Sequence, residues 1–547
     1  MNGKAQTRIT RSQEKANQQA LSFSNSPALS PLAGSVFRVL WIASIASNLG
    51  TWMQDVGESW LMVSFTKSPV LVALVETAGS LPVVLLALPA GALADIFDRR
   101  RLLLVTQFWM LVVAAAMGVL AIGGLMSPWL LLLLTFTLGL GSALNSPAWQ
   151  AIVPELVPHN ELPAAMTLES VAFNVSRAVG PAIAGFLVAA IGSGPVFLLN
   201  AASFLGVIVV IYRWNRVGEK NTTPREHVWG AMRAGIRYAR HAPEVQAVLI
   251  RTAVFTFCAS ALWALLPLQA RTKLGLGAVG YGVLLGCLGT GALLGAGFLA
   301  RARKEISNNI LVVVASVLFA AASLVLAHSG FILLTGAAMV LAGISWIACV
   351  SSFNTTAQTV APAWARGRVL ALFTLVLLGG LAVGSAAWGG FASRFGITKA
   401  LDVAAIGLIG GLLFSLRYRL IRLEDLSLTA WVHWPEPVVV GQPRLDDGPV
   451  LVTVEYRVDP NRAQEFRRVM REMRRIRKRD GAFRWGLYSD TADPSRFVET
   501  FVVESWGEHL RQHSRITEAD RRIEEQVNSF HLDDGPPEAK HLIAERV

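Results

Sequence analysis

The chain has 547 residues, 53% of them hydrophobic and only 16% charged, against roughly 25% charged in an ordinary soluble domain. The formal net charge of +12 would suit a nucleic-acid partner. Outside the tail, however, Lys and Arg gather in alternate loops between apolar runs, which is the signature of topology in a lipid bilayer and excludes nucleic-acid binding.

Residues 1–30 are polar and rich in Ser, Asn and Gln, without the apolar core of a signal peptide, and read as a disordered cytoplasmic tail. Apolar runs long enough to span a bilayer follow near 36–64, 70–94, 102–124, 128–150, 165–191 and 194–213. A basic linker, 214–244, precedes a second set near 247–271, 279–300, 308–327, 331–353, 367–391 and 397–418. The predicted fold class is an all-α polytopic membrane protein of twelve helices, in two halves over 31–213 and 245–422. A linker over 423–447 then leads to a soluble unit over 448–547. The even count puts both termini on one side. Arginine-rich loops such as Arg99–Arg101 make that side the cytoplasm, so the expected location is the inner (plasma) membrane. Within the basic linker, Arg233, Arg237 and Arg240 fall on one face of an amphipathic helix suited to the membrane surface.

The halves echo each other. Val179-Gly180-Pro181-Ala182 with Gly185 and Gly192 matches Val383-Gly384-Ser385-Ala386 with Gly389 and Gly396 at an offset of 204, and Gln150 with Pro154 matches Gln358 with Pro362 at an offset of 208. Two parallel six-helix repeats hold substrate between them near the midplane. Cys258, Cys287 and Cys349 all lie in apolar spans and read as small buried hydrophobes; no spacing points to a metal, and no cofactor is expected.

Ionisable residues inside spans are the candidate site. A carboxylate there costs roughly 2.5–3.5 kcal/mol on insertion scales, so each needs a function or a partner. In the first span Asp55 and Glu58 are three apart on one helix face. Asp55 is a candidate for binding and releasing a proton; Glu58, nearer the helix end and expected to be more solvated, and Glu76 of the second span are further proton-coupling or substrate candidates. In the fifth span Arg177 needs an anionic partner: an acidic substrate, Asp55 or Glu76. Tryptophans in the spans, among them Trp52, Trp263 and Trp346, either line a pocket or serve as packing and interfacial anchors.

The loop Gly91-Ala-Leu-Ala-Asp95-Ile-Phe-Asp98-Arg99-Arg100 resembles the signature between the second and third helices of the major facilitator superfamily, with Ile96 and Asp98 departing from its usual Arg and Gly. The resemblance implies that Gly91, Asp95, Arg99 and Arg100 form a conformational switch. Gly180-Pro181 with Ala184 and Gly185 resembles the antiporter signature of exporters, one glycine short. Gly50-Thr-Trp-Met-Gln-Asp-Val56 extends the likeness to the branch that includes the enterobactin exporter and transmembrane secretion effectors. That branch implies export of a small siderophore- or drug-like molecule from the cytoplasm by proton antiport, with the two halves rocking about a central site. Nutrient import and a tail that carries the main activity are the alternatives.

In the tail, a strand over 450–457, a helix over 461–478, strands near 482–489 and 496–504, a helix from about 506 and a closing strand near 540–545 give a small α+β ferredoxin-like domain. Gly481-Ala-Phe483, Glu499 and Glu504-Ser-Trp506 resemble antibiotic-biosynthesis monooxygenase-like modules, which implies a homodimerising unit. His509 and His513 read as surface residues in the absence of a third metal ligand, and the eight basic residues from Arg467 to Arg479 as a solvated face. No catalytic residue is expected, so the chain reads as a transporter and not an enzyme.

Overall fold

A computed structural model describes residues 29–214, 228–362, 364–420 and 443–545, with a few side chains within them, including those of Asp95 and His513, left undescribed. The expected tail over 1–30 and the linker over 423–447 fall almost wholly outside these ranges.

The first half contains α1 (Ser35–Phe65), α2 (Pro69–Ile96), α3 (Arg99–Ile122), α4 (Pro128–Leu156), α5 (Leu162–Ile191) and α6 (Ser193–Arg213). After the surface helix α7 (Val228–His241), the second half contains α8 (Pro243–Thr272), α9 (Ala278–Glu305), α10 (Asn308–His328), α11 (Ile332–Thr359), α12 (Arg366–Phe395) and α13 (Ile397–Gly411), the last continued by α14 (Leu413–Arg417). Among the described residues eleven helices are long and apolar enough to cross a membrane. Helix α1, which carries Asp55 and Glu58, completes the twelve: its 31 residues rise about 46 Å.

Local chemistry sets the helix ends. Asp98 caps α3 by accepting from the Arg101 amide at 2.9 Å, so the acid that departs from the family loop has a structural job. Ser127 and Ser307 cap α4 and α10 in the same way. Gly192 and Gly396, one of the repeat pairs, both end a long helix in a positive-φ conformation, at 85° and 91°. The repeat therefore extends to matched backbone geometry.

The halves meet along two seams, α2 against α12 and α5 against α9. On the second, a Cβ at Gly185 would lie 2.7 Å from the Ala278 carbonyl oxygen, and one at Gly282 would lie 2.5 Å from that of Pro181. Only glycine lets these backbones touch. On the first, Thr77 donates to the Ala382 carbonyl at 2.9 Å, and Gly389 packs on Pro69 and Ala73. Arg271 at the end of α8 bonds the Val63 carbonyl at the end of α1. These contacts include residues close to the membrane face opposite the arginine-rich loops.

The tail forms β1 (Val450–Arg457), α15 (Ala463–Asp480), β2 (Arg484–Ser489), β3 (Arg496–Val503), α16 (Trp506–Arg515), α17 (Glu518–Asn528) and β4 (Glu538–Ile543). The sheet is antiparallel in the order β2-β3-β1-β4. Alternate residues Val450, Val452, Val454 and Tyr456 of β1, with Phe497 and Phe501 of β3, meet Phe466, Met470 and Met473 of α15. The single helix expected from 506 is two, because Thr517 and Asp520 make a reciprocal capping box that starts α17.

Two further expectations for the tail are corrected. Arg477 is buried, bonded to Glu499 at 3.4 Å and to Glu524 at 3.6 Å, and Arg479 pairs with Asp480 and Asp520 at 2.8 and 2.7 Å. The basic face is thus solvated only in part, since α15 turns its last residues into the domain. Glu499, also buried, additionally accepts from Trp485 at 2.8 Å and bonds Tyr456 at 3.2 Å. His509 is not on the surface; it is 2% exposed and packs with tilted rings against Trp506 and His541.

The tail docks on the second half through α7. Glu508 takes Arg237 of α7 at 2.6 Å as well as Arg511 and Arg515 of its own helix. Arg515 also lies 4.5 Å from the ring of Trp364 in the α11–α12 loop, and Arg479 lies 5.9 Å from Tyr238 of α7. Burial opposes charge on Glu508, yet the three arginines hold its carboxyl below the usual carboxylate range. A depressed folded value means the contact is at full strength above the ordinary pKa of about 4.3 and is lost only as pH falls through the lowered value. Glu508→Gln is therefore expected to loosen docking at neutral pH. Faster hydrogen exchange over residues 228–241 would register it; unchanged exchange would show that the ion pairs are incidental.

Candidate functional site

Between the halves lies a cavity of about 300 Å³. The first half contributes Trp52, Asp55, Ser59, Glu76, Phe173 and Arg177, and the second half Trp263, Tyr281, Trp346 and Leu381. Apolar and aromatic walls with a few convergent polar groups are what a small-molecule site requires.

Asp55 and Glu58 part company. Asp55 faces the cavity, with Glu58 and Glu76 as its acidic neighbours. Glu58 turns into the first half, where it is 3% exposed. There Gln54 donates to it at 2.8 Å and Thr135 at 2.9 Å, and Asn200 donates to Gln54 at 2.5 Å. The expectation that Glu58 is solvated is thus corrected: Gln54 one turn before it and Thr135 of α4 satisfy it, and Asn200 of α6 in turn holds Gln54. Removing Glu58 would strand buried donors, each costing about 1–3 kcal/mol. Glu58→Ala is accordingly expected to lower the melting temperature of the purified protein, with Glu58→Gln much milder; equal melting temperatures would refute a structural role.

Arg177 is 8% exposed and lies between two indoles, 5.8 Å from the Trp52 ring and 5.7 Å from that of Trp263. Neither Asp55 nor Glu76 forms an ion pair with it among the described residues. Of the antiporter-like residues, Gly180 admits Trp52, whose Cβ would be 2.9 Å from an added methyl, while Pro181 and Gly185 form the α5–α9 seam. The tryptophans divide: Trp52, Trp263 and Trp346 line the cavity, whereas Trp41 donates to the Leu168 carbonyl at 3.0 Å and Trp109 to that of Thr137 at 2.9 Å. Tyr281, stacked on Trp60, belongs to the cavity and had no sequence signal beyond its place at the start of a span.

At the charged loop, Arg99 pairs with Glu155 of α4 at 2.8 Å, and Arg100 donates to the Ile211 and Tyr212 carbonyls of α6 at 3.0 and 2.5 Å. Both arginines bind the loop to the first half. The surroundings of Gly91 and the side chain of Asp95 lie outside what the structure describes. The three cysteines are free, with Cys258 and Cys349 buried. Among the described residues no group of three metal-ligating side chains occurs.

The family model described as transmembrane secretion effector matches residues 26–547. The staphyloferrin A transporter of Staphylococcus aureus is 31% identical over 163 residues, which are 30% of this chain and 41% of that protein, so the match spans less than half of that relative. Macrolide efflux protein A of Streptococcus pyogenes is 23% identical over 304 residues, 54% of this chain and 74% of its own. Multidrug efflux pump Tap of Mycolicibacterium fortuitum is 25% identical over 345 residues, 61% and 83%. Among solved structures, a bacterial homologue of the human lysosomal transporter Spinster, inward-facing and occupied, superposes with a TM-score of 0.57 at 15% identity, over 72% of this chain and 98% of its own. An inward-facing bacterial homologue of ferroportin gives 0.55 at 15% identity, over 70% and 98%. At such identities the structures speak for the fold alone.

Proposed function

Because the chain belongs to the transmembrane secretion effector family of major facilitator transporters, we propose that it exports a small siderophore- or drug-like molecule from the cytoplasm by proton antiport. The observation that carries this reading is the aromatic cavity between the halves, with Asp55 and Glu76 in its wall. An acid held in an apolar cavity takes up a proton readily, and a bound substrate competes with that proton. In this reading the arginine-rich face is the cytoplasmic one, and substrate enters the cavity from it. Alternating access then follows from rocking about the α2–α12 and α5–α9 contacts, where small residues allow the halves to slide. Efflux named for the macrolide and multidrug relatives supports the direction of transport. The tail is a docking module on the second half, and pairing of two copies through its sheet belongs to the same reading.

Expression in a bacterial host stripped of its own efflux pumps tests direction and energy source together. The expected result is lower cell content of a transported macrolide or dye, restored to the control level by a protonophore. Higher cell content than the control would overturn export in favour of import.

A further inference from the structure

Arg177 stands out among the ionisable groups of the membrane interior. Its guanidinium is more than nine-tenths buried and lines the cavity, it faces two indole rings, and among the described residues no carboxylate or carbonyl accepts from it. Its Nε is a buried donor without an acceptor. So is Nε1 of Trp263, whose ring packs on the same guanidinium from the opposite half of the protein. A fixed positive charge therefore lines the cavity without a counter-ion, and the two N–H donors buried beside it have no acceptor. Structures do not ordinarily leave buried donors empty, and an intramembrane cation needs a counter-charge. The other walls there, Phe173, Trp346, Leu377 and Leu381, are apolar.

We propose that Arg177 and Trp263 form the anion subsite of the transport cavity, and that the substrate class is a carboxylate carried on an apolar, ring-bearing body. A carboxylate matches the planar guanidinium fork in a way a neutral amide cannot. The ring-bearing body stacks on Trp52 and Trp346, and Asp55 and Glu76, which line the same cavity, remain for protons. Because Arg177 and Trp52 belong to one half and Trp263 to the other, the anion ties the halves together when bound. This assignment rests on the reading of the cavity as a transport site.

The test is equilibrium binding to the purified full chain by scintillation proximity, with tritiated 1-naphthaleneacetate, its primary amide and 2-(1-naphthyl)ethylamine as matched probes. The expected result is a carboxylate dissociation constant about tenfold or more below those of amide and amine. Arg177→Gln abolishes that preference, Arg177→Lys, which keeps the charge but loses the planar fork, retains only part of it, and Trp263→Phe weakens it several-fold. Should Arg177→Gln fail to fold, the Trp263→Phe measurement carries the test. Equal binding of the three probes, tightest binding of the amine, no binding of the carboxylate, or a preference that survives Arg177→Gln and Trp263→Phe would each overturn the proposal. A protein that discriminates the probes yet transports no compound in the host assay fails the transport reading alone. One that exports macrolides without discriminating the probes fails this assignment alone.

Discussion

Leucine in place of Gly282 is expected to cut transport per folded molecule by about tenfold or more, which corresponds to about 1.4 kcal/mol of lost function. A Cβ at this position already lies 2.5 Å from the Pro181 carbonyl oxygen and 2.8 Å from the Gly185 Cα, and both obstacles are backbone. A branched side chain must push α9 off α5, and overpacking of this kind typically costs about 1–3 kcal/mol. The wedge falls on a seam between the halves, so it is expected to hinder their motion as well as their packing. Gly206→Leu is the control: nothing lies within 4 Å of a Cβ there. Counterflow of a labelled substrate in proteoliposomes, normalised to folded protein, distinguishes the two variants. Equal loss in both would show that the seam has no special part in transport.

The second large effect is expected at Asp55. Asp55→Asn keeps the shape of the cavity wall and removes a titratable group, so uptake driven by a pH gradient should fall by about tenfold or more. Counterflow exchange, which needs substrate binding and rocking but no net proton movement, should persist. The groups that share Asp55's surroundings are Glu58 and Glu76 from the same half, Tyr281 from α9 and Arg177 from α5. Glu76→Gln is therefore the companion variant, and a larger effect from it than from Asp55→Asn would move the coupling site one helix over.

The membrane fold was largely legible because its causes are local. Apolar length and the glycine pair Gly192 and Gly396 each act within a few residues, and each reappears in the structure. The site was legible in its members and not in their arrangement. Asp55 and Glu58 look alike in sequence, and what separates them is Thr135 and Asn200, contributed by helices far along the chain. Arg177 could be read as needing an anion, but the absence of an ion pair with Asp55 or Glu76 depends on helix rotation that periodicity does not fix. Docking of the tail was not legible either, since Arg237, Tyr238, Trp364 and Glu508 are brought together only by tertiary packing. In the tail, Arg477 and His509 were misplaced because charge and polarity are weak guides when a buried partner is supplied by another strand or helix.

The central claim is that protons and substrate exchange through the Asp55–Glu76 cavity. Its most direct test is accumulation of a transported macrolide in inverted membrane vesicles made acidic inside, comparing the natural chain with the Asp55→Asn, Glu76→Gln double variant. Accumulation that depends on the gradient in the natural chain and collapses to the passive level in the double variant is the predicted result. Gradient-driven accumulation of equal size in both would contradict the claim.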